Sequence, residues 1–344
     1  MITEKQIRLE MEIGYDLLSS HLEIRNQIID LIMRQYKDQL YSPSDIQDWY
    51  GIEDWTDTEE RFQNLRFYHA EDFIPYQSYL PQIFAYHKQY LSLDQLSKVE
   101  MLETLFLNRF YAYITPRARL ELLRELGNLY CQKHGIEPCK VLGITWLPNQ
   151  ASMANSRVTL ENGDTISYIV VSKDIMNHPN ISGVRILECI YHELDHFYLE
   201  QKAQCGKLSK EESIAYISSF MNQLSLLQQD AYIRYMFLPV EYRAIVQSYQ
   251  KVSQILKSNP YANEKDESWW KENQYIVAKK LLLDFNIEHQ VYLTERQMTE
   301  FMGSIAIEQF ERENGNCQLS LEKEECKKYK EKAKKFRMIC ESQK

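Results

Sequence analysis

Glycine and proline are both scarce, 10 and 9 residues in a chain of 344. With so few breakers, long apolar-periodic segments dominate, and they predict a mostly helical protein. No two of the seven cysteines (Cys131, Cys139, Cys189, Cys205, Cys317, Cys326 and Cys340) form a CxxC pair, and their number is odd. That suits free thiols in a reducing compartment better than a disulfide framework. No window approaches the ~18–20 consecutive apolar residues of a membrane span, so no membrane is an expected partner. The first residues, MITEKQIRLEMEIGYD, are charged from Glu4 onward and lack an apolar core, so no signal peptide is expected and a cytoplasmic location is. Positive charge is not in excess: the formal net charge is −9, which argues against a surface built for nucleic acid or an anionic membrane. A phosphate-cradling glycine loop and a nucleophile elbow are both missing.

What is present is ordinary for a globular chain, 44% apolar and 26% charged residues, with an unusual 24 tyrosines. A helical N-terminal region is expected over 1–137, with an aromatic-rich stretch at 57–113 and a helix opened by Thr115-Pro116 that ends near Gly135. The texture changes after Pro138. Lys140 to Leu147, Ser156 to Leu160 and Thr165 to Ser172 are β-branched and apolar, and Asn162-Gly163 between the last two favours a tight hairpin. A small antiparallel sheet of about three strands is the expectation, with TISYIVVS as an edge able to pair with an extended peptide. Helices are then expected from Ser182 to about Gln204, from Ser209 to about Phe237, from Pro239 to about Lys257, and over 265–285, 294–312 and 320–341.

The helix SGVRILECIYHELDHFYLEQ carries the chemistry. Val184, Leu187, Tyr191, Leu194 and Tyr198 recur at three- and four-residue steps and predict a core-facing stripe. His192 and His196 lie four residues apart on another stripe, so both imidazoles aim at one point, as a zinc ion with Zn–N distances of ~2.0–2.1 Å requires. Glu193 is offset by ~100° from the first histidine. It can reach a water on the metal without being a ligand, and can take its proton as a general base. Eight histidines can produce this pattern by accident. Its place inside a well-formed helix that follows a strand argues for a real site.

A catalytic zinc usually takes three protein ligands and keeps one position open. Glu241, Asp230, Glu200 and Cys139 are the candidates for the third. Glu200, one turn beyond His196, reads as a solvated helix acid before it reads as a ligand, and Asp230 as a helix-surface acid or a partner to a histidine. Glu241 opens a helix, where carboxylates are common for dipole reasons. Cys139 reads as a small buried residue.

HELDH in its helix, followed by a further helix and then Tyr235-Met236-Phe237-Leu238-Pro239-Val240-Glu241-Tyr242-Arg243-Ala244, resembles the compact HExxH zinc metallopeptidases of the gluzincin type. The resemblance covers about residues 140–250. It implies a zincin-like core, His192, His196 and Glu241 as zinc ligands, Glu193 as catalytic base, and hydrolysis of a peptide or protein substrate. Arg243 departs from the pattern, which often has an acid there. A weaker resemblance is to peptide deformylase, whose helix reads HExDH and whose ligand cysteine would fall on Cys139.

The chain is therefore expected to be an α+β protein, predominantly α-helical. Its regions are a helical N-terminal part (1–137), a zincin-like metallopeptidase core (138–258) and C-terminal helices (259–344). The expected activity is zinc-dependent peptide or amide hydrolysis. The alternative is a non-catalytic helical binding or regulatory protein with a metallopeptidase-like core, or a deformylase-like amidohydrolase. Tyr232, Tyr235, Tyr242 and Arg243 are candidates to stabilise an oxyanion. The segment 322–337 has eight basic residues among sixteen, but four interleaved glutamates make it a solvated helix rather than a nucleic-acid contact. Trp269-Trp270 and the aromatics Trp49, Tyr50 and Trp55 are read as packing residues before groove residues.

Overall fold

The structure is a computed structural model that describes residues 98–111, 116–144, 153–159, 165–172, 181–220, 231–259, 261–314 and 323–341. The N-terminal helices expected before residue 98, the aromatics Trp49, Tyr50 and Trp55, the Asn162-Gly163 turn and Asp230 lie outside them. The chain is predominantly helical. Among the described residues no helix is long and apolar enough to cross a membrane.

In chain order the elements are α1 (Lys98–Leu105), α2 (Asn108–Tyr111), α3 (Pro116–His134), β1 (Lys140–Ile144), β2 (Met153–Thr159), β3 (Thr165–Ser172), α4 (Gly183–Gln204), α5 (Lys210–Ser218), α6 (Ala231–Met236), α7 (Pro239–Ser258), a 3-10 turn (Glu264–Asp266), α8 (Ser268–Glu272), α9 (Gln274–Glu288), α10 (Glu295–Asn314) and α11 (Lys323–Glu341). They fall into two compact units. One holds the residues up to Phe197 with Asn259–Lys265, the other Tyr198–Ser258 with the residues from Asp266 on. Helix α4 is continuous and contributes to both.

In the first unit α3 ends where expected. Gly135 adopts the left-handed conformation that glycine tolerates best (φ 62°), and the Ile136 N–H closes back on the Cys131 carbonyl at 3.1 Å. The sheet corrects the expectation. Its order is β1-β3-β2, with β2 antiparallel to β3 but β1 parallel to it, so the sheet is mixed. β1 (Lys140–Ile144) starts at the expected residue, while β2 (Met153–Thr159) starts three residues before the expected Ser156. TISYIVVS, expected at an edge, is the central strand, so its backbone is committed to β1 and β2 and does not offer a row of groups to a peptide. Val141 lies opposite Ile169 and Met153 opposite Val171, and all four are buried. A Cβ on Gly127 of α3 would meet Val141 at 3.7 Å and Leu194 at 3.9 Å, so α3 packs closely against both the sheet and α4.

Helix α4, about 33 Å long at 1.5 Å per residue, differs from the one-sided stripe expected. Val184, Leu187, Tyr191 and Leu194 are buried, but so are Ile186, Ile190, Phe197 and Leu199 on other faces. Apolar residues all round a helix mark a buried one. Its polar residues are buried with it and need partners. The Glu188 carboxylate accepts from Arg185 at 2.6 Å, and the Tyr191 hydroxyl donates to Glu103 in a very short bond. At its start the Asn108 side-chain oxygen accepts from the Ser182 hydroxyl (2.9 Å) and the Gly183 N–H (2.8 Å). Gly183 is required for space: a Cβ there would lie 2.2 Å from the Phe106 carbonyl oxygen and 2.6 Å from the Tyr111 Cβ.

In the second unit the long helix expected from Ser209 to Phe237 does not continue. α5 stops at Ser218, where the Ser218 and Ser219 hydroxyls bond back to the Ala215 and Tyr216 carbonyls and compete with the backbone ladder. The helix expected over 265–285 is likewise split at Asn273, whose side chain caps α9 by accepting the Ile276 N–H at 3.0 Å. Phe237, Met298, Phe301 and Phe336 are buried together with Ala278 and Leu282. α11 lies on α10 through Ala333 and Phe336, and three of its cations find acids there: Lys330 with Glu311, Lys332 with Glu300 and Arg337 with Glu308. The lysine-rich tail is thus partly neutralised within its own unit. Trp269 is buried and stacked on Tyr249 (ring centroids 5.7 Å apart), and Lys257 sits over Trp270, which are packing roles.

Candidate metal centre

The third and fourth turns of α4 present His192 and His196 on one side. Their Nε2 atoms are 3.0 Å apart, and the rings stand nearly perpendicular (89°) with centroids 4.6 Å apart. Two ligands ~2.0–2.1 Å from one tetrahedral ion are about 3.3 Å from each other. The histidine pair is therefore already near the spacing that a shared ion imposes. His192 is buried and His196 is half-buried.

Glu241 completes the set. Each of His192, His196 and Glu241 offers one ligand atom, and the three atoms lie within 4.8 Å of one another, a group that could hold a metal ion. Among the described residues no other trio of histidine, cysteine and acidic side chains is so arranged. Glu200 is buried on α4 but is not part of the group, and neither is Cys139. Burial pushes the Cys139 thiol well above its usual range, and Cys131 and Glu193 act in the same direction. A protonated thiol is a poor ligand.

The local sequence explains how Glu241 is presented. α7 begins at Pro239, whose missing N–H costs nothing in a first turn. The residue before it, Leu238, has no side chain that can cap the helix. The acceptor comes instead from α5: the Ser218 hydroxyl oxygen takes the Val240 N–H at 3.0 Å. Glu241 follows in the first turn, where a carboxylate faces the positive end of the helix dipole.

Glu193, next to the first histidine, is buried and fixed by a backbone donor. The Asn155 N–H of β2 donates to Glu193 Oε2 at 2.7 Å. No side-chain pattern could have announced this contact.

The oxyanion candidates are placed as follows. The Tyr242 hydroxyl donates to Glu295 in a very short bond; burial and that carboxylate raise its pKa far above the usual value. Arg243, the departure from the metallopeptidase pattern, finds its acid on α5, with Nη1 3.3 Å from Glu212 Oε1. Tyr235 packs beside the buried cluster of the second unit, and Tyr232 is exposed. Tyr242 and Arg243 are thus engaged with acids of their own unit.

No protein-family model matches this chain, and no curated protein or solved structure matches it either.

Proposed function

We propose that the protein is a zinc-dependent hydrolase of peptide or amide bonds, akin to the compact HExxH metallopeptidases of the gluzincin type. The observation that carries the reading is the convergence of His192, His196 and Glu241 ligand atoms within 4.8 Å, with Glu193 adjacent in sequence to the first of them. Two imidazoles and one carboxylate suit zinc, and three protein ligands leave one position open for water or substrate. When bound, the ion supplies Lewis acidity and brings the pKa of a water down toward ~7.

The remaining work belongs to the chain's own residues. Glu193 accepts the proton of the attacking water at its carboxylate and returns it to the leaving nitrogen. The Asn155 N–H holds one carboxylate oxygen, so the other serves proton transfer from a fixed direction. His192 and His196 sit one turn apart on a helix with buried apolar residues on several faces, and that packing holds their spacing.

Metal content and proteolysis test the reading together. Purified protein is expected to hold one equivalent of zinc. Glu193→Gln should keep the zinc and lose the activity, and His192→Ala should lose the zinc. A proteome digest comparing wild type with Glu193→Gln should differ in cleaved peptides. Equal zinc in all variants would sink the ligand assignment. Identical digests with zinc in place would leave a binding protein with a metallopeptidase-like centre.

A further inference from the structure

We propose that Glu212 is the positioning residue for Glu241, fastening the first turn of α7 to the end of α4 by accepting hydrogen bonds from Lys202 and Arg243 at once. The inference rests on the three-ligand reading of the site.

Glu212 stands at the third position of α5 and closes a capping box with Ser209. The Ser209 hydroxyl accepts the Glu212 N–H at 3.2 Å, and the Glu212 carboxylate accepts the Ser209 N–H at 2.8 Å. A surface cap would need nothing more. This carboxylate has two further partners on two other helices. Lys202 Nζ of α4 lies 2.8 and 2.7 Å from its oxygens, and Arg243 Nη1 of α7 lies 3.3 Å away. Both cations also stand over the ring of Tyr198, at 5.4 and 5.9 Å from its centre, so one aromatic side chain of α4 contacts both. The Glu212 side chain is 14% exposed, which shields the trio from full solvent screening.

The geometry matters because of what lies between the fastenings. Val240 is tied to α5 by the Ser218 hydroxyl, and Arg243 is tied to α5 by Glu212. Glu241 sits between those two residues, so the turn that presents it is held on either side by one short helix. Lys202 in turn anchors that helix to α4, six residues beyond His196 on the same continuous helix. Residues that orient ligands from outside the metal's own shell typically change metal affinity by about 10–100-fold when removed.

The test is a thermodynamic cycle on the full-length chain, with zinc affinity read by competition against a chromophoric chelator. The proteins are wild type, Glu212→Gln, Glu241→Gln and the double variant. Glutamine keeps an acceptor for the Ser209 N–H and removes the charge. Glu212→Gln is expected to weaken zinc about tenfold in the wild-type background. With Glu241→Gln already in place, the same change should cost less than about twofold, because the residue through which it acts is gone. Arg243→Gln should repeat the pattern, while Arg243→Lys keeps the charge and should stay within about threefold of wild type. A Glu212→Gln protein that binds zinc as wild type does, or that loses as much without Glu241 as with it, overturns the proposal. If circular dichroism shows Glu212→Gln unfolded, the Arg243→Gln cycle is read against the same two outcomes. A wild type that holds zinc no better than His192→Ala overturns the three-ligand reading itself, and this inference with it.

Discussion

The two histidines and the glutamate of the candidate centre are held by different physics. His192 and His196 ride on a helix with buried apolar residues on several faces, started by a glycine that admits no Cβ and an asparagine that caps it. The charges buried there have local partners, as Glu188 has in Arg185, and the constraint on the helix start is steric. Glu241 rides on the first turn of a helix whose end is secured by a borrowed hydroxyl and by an acid shared between two cations. Dense packing resists displacement over a wide range of conditions, whereas an ion-paired bracket depends on its charges being present. The difference predicts that the ligands can be disturbed separately.

The largest effect should come from the steric side. Gly183→Ala forces a methyl against the Phe106 carbonyl and the Tyr111 ring and should destabilise the fold by about 3 kcal/mol, read as a lower urea midpoint with unchanged slope. A stability within error of wild type would mean that the start of α4 yields easily, and the contrast would fail. Next comes acid. Burial raises the Glu212 pKa, but the hydrogen bonds from Lys202, the Ser209 backbone and Arg243 outweigh it and bring it down to about 2. A carboxyl whose folded pKa lies below its unfolded value stabilises above the unfolded pKa, and that stability is lost as pH falls toward the folded one. Wild type should therefore exceed Glu212→Gln by on the order of 2 kcal/mol above pH ~5, with the gap closing between pH ~4.5 and ~2. A gap that does not change with pH would show that the bracket is not ionic. The smallest effect is Ser218→Ala, which removes the borrowed cap of α7 and should cost about 1 kcal/mol. Its sharper reading is zinc affinity, which should fall while α4 remains intact by hydrogen exchange.

The legibility of these features followed the range of the interaction that makes them. The helix of the candidate centre was readable because its period and its i, i+4 histidines are local. Glu241 was one of four candidates on spacing, and only the resemblance singled it out; the structure brings it to the histidines. The sheet was misjudged because β1 pairs with β3 across an intervening strand, and a parallel pairing leaves no turn signature in between. The break at Ser218 was missed because two serines within a periodic stretch look like helix surface until their hydroxyls turn inward. Glu212 carried a signal in the Ser209–Glu212 capping box, but nothing in the spacing of Lys202 and Arg243 says that both reach it. Asn155 could not be read at all, since its contribution is an amide that every residue but proline possesses.

That last point bears on mutational tolerance. A base oriented by a side chain could be lost through many substitutions at its partner. Glu193 instead accepts from the main chain of β2, so that one bond does not depend on which side chain stands at position 155, with proline, which has no N–H, the one exception. Position 183 has the opposite genetics, one permitted residue and no substitutes. Two contacts on the same helix thus respond differently to substitution: the bond to Glu193 survives any change of side chain but proline, whereas the close approach at position 183 has no room for a Cβ.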